Sequence, residues 1–281
     1  MNHRKLTPDR IATYMGFLQR EERTPATIEK YGRDLRAFKG WLGRRAVSKE
    51  EAAGWKASLL EAGLSPVTVN AKLSALNGLL RFLGWEECRV KFIKIQRQAF
   101  RDPSRELTRE EYARLLGTAQ KLGKARLGLL METICATGIR VGEVKYITLE
   151  AARMGRAEIR LKGKVRVILL PNKLCRKLLK FAKKQGILAG PVFVSKTGSA
   201  LSRRLIWQEM KALCLQAKVE PSKVFPHNLR HLFALTFYRV TRDIVKLADV
   251  LGHSSIETTR VYLLTAGREH QRALERLGFI T

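Results

Sequence analysis

The sequence predicts a mainly helical chain with one small β hairpin, and three observations lead there. Apolar residues recur at helical spacing between recognisable caps through much of the 281 residues. One stretch, AEIRLKGKVRVILL at 157–170, departs from that period and reads as two short β runs, EIRL and VRVILL, about a tight turn at Gly163. It is the only convincing hairpin in the chain, and nothing repeats internally.

The helices can be justified in order. Thr24 and Pro25 open a segment whose Ile28, Tyr31, Leu35, Phe38 and Trp41/Leu42 share a face, and Gly43 closes it. Ser48 with Glu51 three residues on reads as a capping box, and Gly63 ends that helix. Ser65 and Pro66 start a helix towards Gly84 with an apolar stripe of Val69, Leu73, Leu76, Leu80 and Leu83. Its polar stripe, Asn70, Ser74, Asn77 and Arg81 with Lys72 nearby, carries groups that reach base edges and phosphates, so these are candidate DNA contacts. Residues 87–104, basic and apolar mixed before a proline, read as a linker between a first domain at 1–86 and a second at 105–281. Thr108 and Glu111 form a second capping box, Leu127 to Cys135 is an apolar buried run, and a turn follows at Gly138. Helical patterns return after the hairpin at 171–186 and 202–218 and continue, with short loops, towards the end.

Charge narrows the function. The 54 Lys+Arg against 25 Asp+Glu leave +29, divided as 19 − 10 = +9 over residues 1–100 and 35 − 15 = +20 over 101–281. With 45% apolar residues the chain has the material for a core, so it is a folded cationic protein and not a disordered basic tail. Such an excess points to a polyanionic partner, nucleic acid ahead of an anionic membrane. Cys88, Cys135, Cys175 and Cys214 form no CxxC pair, which supports neither a zinc knuckle nor a disulfide scaffold and predicts reduced thiols. No apolar stretch approaches the ~18 residues of a membrane span, and MNHRKLTPDR has no signal-peptide core, so a cytoplasmic, nucleoid-associated protein is expected.

Four pieces carry the chemistry: ATGIRVGEV with Arg140, LKGKVRV with Lys162, HNLRH with His227 and Arg230, and LGHSSIETTRVY with His253 and Tyr262. His227 and Arg230 are three apart, so a helix puts imidazole and guanidinium on one face. Ser254 and Ser255 read as caps for a helix containing Tyr262, about two turns beyond His253. A phenol is thereby brought towards an anion held by arginines.

Together these segments resemble the tyrosine recombinases, the lambda-integrase and Xer class of site-specific DNA recombinases. GIRVGEV, HNLRHLFAL and LGHSSIETTRVY carry the likeness, SRELTREEYARLL opens a similar catalytic domain, and TPATIEKYGRDLRAF to SPVTVNAKLSALNGLLRFLGW is similar to the family's helical, SAM-like core-binding domain. The resemblance implies the DNA breaking-rejoining fold and a reaction without metal or other cofactor. It implies Tyr262 as nucleophile giving a 3′-phosphotyrosyl enzyme, Arg140 and Arg230 on the non-bridging oxygens, and Lys162 as acid for the leaving 5′-oxygen. His227 is implied as acid/base, His253 as a hydrogen-bond donor to the phosphate, and Glu143 as a support for Arg140 or its loop.

The family hairpin reads roughly GKGxKxR, and LKGKVRV is one residue shorter. Lys162 or Lys164 can therefore be the acid, with Lys162 favoured because it directly precedes the turn glycine; Lys164 and Arg166 match the second basic pair and count as DNA contacts. Asn228 stands where aspartate is common and is expected to cap. The family's partners would be duplex DNA with short inverted core sites and three further copies of the chain, the tail 263–281 exchanged between protomers through Ala266, Ala273, Leu274 and Leu277. A topoisomerase-like relaxation of DNA and a catalytically silent DNA-binding protein of the same fold are the alternatives.

Overall fold

Hydroxyl caps set the first helices. Thr7, Thr24, Ser48 and Ser65 each accept a backbone N–H three positions on, opening α1 (Pro8–Arg20), α2 (Pro25–Leu42), α3 (Lys49–Glu61) and α4 (Pro66–Phe82). Proline stands in the first turn of α1, α2 and α4, where its missing N–H costs nothing. These helices belong to the first of two units, Met1–Arg97 and Gln98–Thr281, into which the chain divides. The computed structural model describes residues 4–95, 103–161, 164–195, 197–263 and residue 276.

The core of the first unit is the predicted apolar stripe of α4 packed among Leu35, Phe38 and Trp55, with Val69, Leu73, Leu76 and Leu80 all buried. At Ser48 only half a capping box forms: Ser48 Oγ accepts the Glu51 N–H, while the Glu51 carboxylate pairs with Arg45 at 2.7 Å.

The polar stripe of α4 corrects a larger expectation. Asn77 Nδ2 donates to the Val90 carbonyl at 2.9 Å and its Oδ1 accepts the Val90 N–H at 3.1 Å. Asn70 does the same to Ile93, at 2.9 and 2.8 Å. Seven residues of helix and three of extended chain both span about 10 Å, so two amides two turns apart can clip one extended strand of backbone. Ser74 bonds back to the Asn70 carbonyl at 3.0 Å, and Lys72 reaches the buried Asp34 at 3.0 Å. Asn70, Asn77, Ser74 and Lys72 are thus committed inside the unit and are not a base-reading face; Arg81 alone of the group is exposed, beside Glu86 at 3.5 Å. Residues 87–95, expected to begin a linker, belong to this unit, with Cys88 and Val90 in its core.

The second unit runs α5 (Arg109–Lys121), α6 (Ala125–Thr137), a 3-10 turn (Val141–Tyr146), α7 (Leu149–Met154), β1 (Arg156–Leu161), β2 (Lys164–Leu169) and α8 (Asn172–Lys184). It continues with α9 (Arg203–Lys211), α10 (Cys214–Ala217), α11 (Pro226–Thr241), α12 (Ile244–Leu251), α13 (Ile256–Arg260) and a last 3-10 turn (Val261–Leu263). Thr108 and Glu111 make the full capping box that their spacing predicts. The antiparallel hairpin pairs Arg156 with Leu169 and Leu161 with Lys164, placing Ala157, Ile159 and Ile168 on the core side. α6, with Leu130, Met131 and Ile134 fully buried, is the central helix of this core. Among the described residues no helix is long and apolar enough to cross a membrane.

Replacing Asn77 with alanine leaves the buried Val90 N–H and C=O without partners. We expect a loss of about 2–3 kcal/mol in the first unit, read by urea unfolding; a loss below that of Ser74→Ala would show that the clip carries no weight.

Candidate active site

α6 stops at Thr137 because Gly138 adopts a left-handed conformation, φ 63°, and a Cβ there would run into Phe233 and Leu251. The reversal throws Arg140 out of the helix. Its backbone N–H and Nη1 both donate to the Glu143 carboxylate at 3.0 Å, and its Nη2 lies 3.4 Å from the Gly252 carbonyl. Glu143 is buried, whereas the Arg140 side chain keeps 43% of its surface open, the opening an anion would use.

Arg230 projects from α11 into the same place and is buried. Nη1 donates to the Gly138 carbonyl, Nη2 to the Leu251 carbonyl at 2.8 Å and to His253 Nε2 at 2.9 Å, and Nε to the Tyr262 hydroxyl at 3.4 Å. Burial holds this guanidinium below its ordinary pKa, countered by the bond to Tyr262. Arg166, from β2, is the third arginine: Nη1 meets Glu143 at 3.2 Å and Nη2 the Val250 carbonyl at 2.7 Å. Its burial lowers the pKa to about 10, so it stays a cation at neutral pH.

The chemistry of guanidinium fixes the state of His253. A guanidinium only donates, so Nε2 accepts from Arg230 and Nδ1 carries the proton, donated to Thr259 Oγ1 at 2.7 Å. Burial first, then the charges of Arg230, Arg140 and Arg166, depress its pKa to about 4, and the ring is neutral at pH 7.

Tyr262 follows α13 in the last 3-10 turn and is buried, 6% exposed. Three imidazoles surround it: His227 and His231 with ring centroids at 5.5 Å, and His253 at 5.6 Å. A phenol hydroxyl on a buried guanidinium and beside imidazoles is suited to nucleophilic attack on a phosphate.

Residues 105–267 match the phage integrase family, and residues 11–87 match the phage integrase N-terminal SAM-like domain. The chain belongs to the tyrosine recombinase family. It is 30% identical over 266 residues to tyrosine recombinase XerD of Brucella suis, covering 84% of this chain and 85% of that protein. Tyrosine recombinase XerA of Thermococcus kodakarensis is 28% identical over 96% of this chain and 95% of its own. In fold, the Tn1549 transposon integrase in complex with circular intermediate DNA matches with a TM-score of 0.73 at 18% identity, over 96% of this chain and 99% of that one.

Of the residues singled out in the sequence, the structure brings Arg140, Glu143, His227, Arg230, His253 and Tyr262 together. Lys162 lies outside the described residues, as does the tail from 264 except residue 276; Lys164 is described in the backbone of β2. The Arg166 side chain, 13% exposed, bonds Glu143 and Val250. His253 accepts from Arg230, its ring kept neutral by burial first and then by the guanidiniums. Two expectations need correction. Tyr262 stands just after α13, not within it. Asn228 caps nothing: the cap position is Phe225, and the Asn228 amide donates to the Arg105 and Lys223 carbonyls, each at 2.8 Å.

Two members of the site were not singled out from the sequence. His231 is buried, with Nε2 3.4 Å from Glu106, and its spacing of four from His227 could have placed it on the same helix face. Thr259 reaches His253 across a turn, which no periodicity reveals.

The depressed His253 pKa has a definite sign. The unfolded chain takes up this proton near 6.5 and the folded chain only near 4, so stability is full above pH 6.5 and falls as pH drops through that window. The melting temperature of the catalytic unit should decline from pH 6.5 to 4, and His253→Asn should flatten that decline; an unchanged slope in the variant would count against the assignment.

Proposed function

We propose that this recombinase cleaves and rejoins DNA strands through a covalent 3′-phosphotyrosyl intermediate on Tyr262 and exchanges strands through a Holliday junction. The observation that supports this most directly is the Tyr262 hydroxyl on Arg230, within a cage of histidines and beside the open guanidinium of Arg140. Tyr262 Oη loses its proton, with His227 as the nearby base, and bonds to phosphorus; the P–O5′ bond breaks and the departing oxygen takes a proton. The phosphate bond energy is kept in the phosphotyrosine, so rejoining is the same step in reverse.

Arg140 and Arg230 offer fork-shaped donors to the non-bridging oxygens, a geometry lysine lacks. A phosphate oxygen that takes Arg230 Nη2 releases Nε2 of His253, and its negative charge favours the imidazolium. His253 then becomes a donor to the phosphate. Lys162 is the acid for the 5′-oxygen on this reading, with Lys164 the alternative. The +29 charge supplies the salt-dependent hold on a duplex bearing short inverted sites. Four copies on two such sites complete the exchange in the cytoplasm, serving integration and excision, inversion or dimer resolution. The solved lambda integrase dimer bound to a core site, similar in fold at a TM-score of 0.71, is consistent with DNA as the partner.

A duplex selected for binding from a randomised pool, nicked so that the cleaved end diffuses away, should trap a covalent adduct with the wild-type chain. Tyr262→Phe should give none, and an adduct that persists in it would sink the assignment. With the same substrate, Lys162→Ala should bind DNA normally and lose about 10²-fold or more in cleavage, against a milder loss for Lys164→Ala. The reverse order would make Lys164 the acid.

A further inference from the structure

Arg166 has no task in the chemistry above, yet it is built into the same cluster. Glu143 uses one oxygen on Arg140 Nη1 and the other on the Arg140 N–H and Arg166 Nη1, so a single buried carboxylate serves two guanidiniums. The second hand of Arg166 holds the Val250 carbonyl, one residue before the carbonyl that binds Arg230 and two before the one facing Arg140. Its stem fills the space beneath Gly252, where any Cβ would collide with Cδ and Nε.

Charge makes the same point. Arg140 and Glu143 alone would be a neutral pair. With Arg166 the trio carries +1, and with Arg230 the cluster carries 3 − 1 = +2 before a phosphate arrives, His253 being neutral then. When a tyrosine oxyanion adds to a phosphodiester the phosphorane bears two negative charges, which a positive excess of this kind stabilises.

We propose that Arg166 is a positioning residue for strand cleavage: by sharing Glu143 it fixes the direction of Arg140 and leaves its charge available to the phosphate. The proposal rests on the recombinase reading above. Without Arg166, Glu143 neutralises Arg140 and is free to turn with it. Arg166→Ala should therefore impair the charge-stabilising step and spare DNA binding.

The test is single-turnover cleavage of the nicked duplex by the full chain, once with an ordinary scissile phosphate and once with a methylphosphonate, which lacks one negative charge. We expect Arg166→Ala to bind within about twofold of wild type and to cleave ordinary DNA about 10²-fold more slowly. On the methylphosphonate the deficit should shrink below about tenfold, because less charge needs balancing. The Arg140→Ala/Arg166→Ala double variant should be no slower than Arg140→Ala, since Arg166 acts through Arg140. Arg166→Lys, which keeps charge but cannot bridge carboxylate and carbonyl, should show a smaller deficit with the same methylphosphonate recovery, and it serves if the alanine variant does not fold. Equal deficits on both substrates, additive deficits in the double variant, or unimpaired cleavage would each overturn the proposal. Wild type failing to form a Tyr262-dependent adduct is a separate result: it defeats the recombinase reading itself and removes this role with it.

Discussion

Three consecutive carbonyls at the end of α12 each hold a different arginine, and the site depends on that arrangement. Val250 takes Arg166, Leu251 takes Arg230 and Gly252 faces Arg140. The last carbonyls of a helix have no partner within it and sit at the negative end of its dipole, so they are a natural seat for cations. Here they gather guanidiniums from the turn after α6, from β2 and from α11, elements far apart in the chain. Gly252, at φ 62°, turns the backbone just there, leaving room for the Arg166 stem and sending His253 back onto Arg230. Concentrating like charges in this way is costly in itself. Glu143 and the carbonyls offset it, while the remaining positive excess is available for an anion with matching charge.

The same concentration sets the protonation of the neighbours. His253 is kept neutral by burial and by the arginines, and its bond to Thr259 orients the ring. Tyr262 is held at the hub by Arg230, with imidazoles around its ring. An arriving phosphate would alter several of these bonds together, because each arginine bonds more than one partner. Substitutions in this network should be far from additive.

Much of this was legible in one dimension. The stripe of Val69, Leu73, Leu76 and Leu80, the Thr108 capping box and the pairing of β1 with β2 are local patterns, and local patterns survive folding because caps and periodic burial act within a few residues. His227 and Arg230 shared a face by spacing alone. The polar stripe of α4 was legible as polar and no further. Asn70 and Asn77 look the same in sequence whether they face bases or clip Ile93 and Val90, since an amide offers the same donor and acceptor to either.

Taken alone, the sequence determined the helical class with its one hairpin, a cationic surface suited to a polyanion, and the short segments whose order marks a tyrosine recombinase. Those properties reside in composition, spacing and motif, which need no knowledge of distant contacts. Only the tertiary structure decided which cations are free and which are spent. Arg140 keeps an open face, Arg166 is consumed by Glu143 and Val250, Lys72 is consumed by Asp34, and His253 accepts from Arg230. The reason is that the state of an arginine or a histidine is set by what surrounds it within a few ångströms, and in this site those neighbours come from segments as many as 125 residues apart.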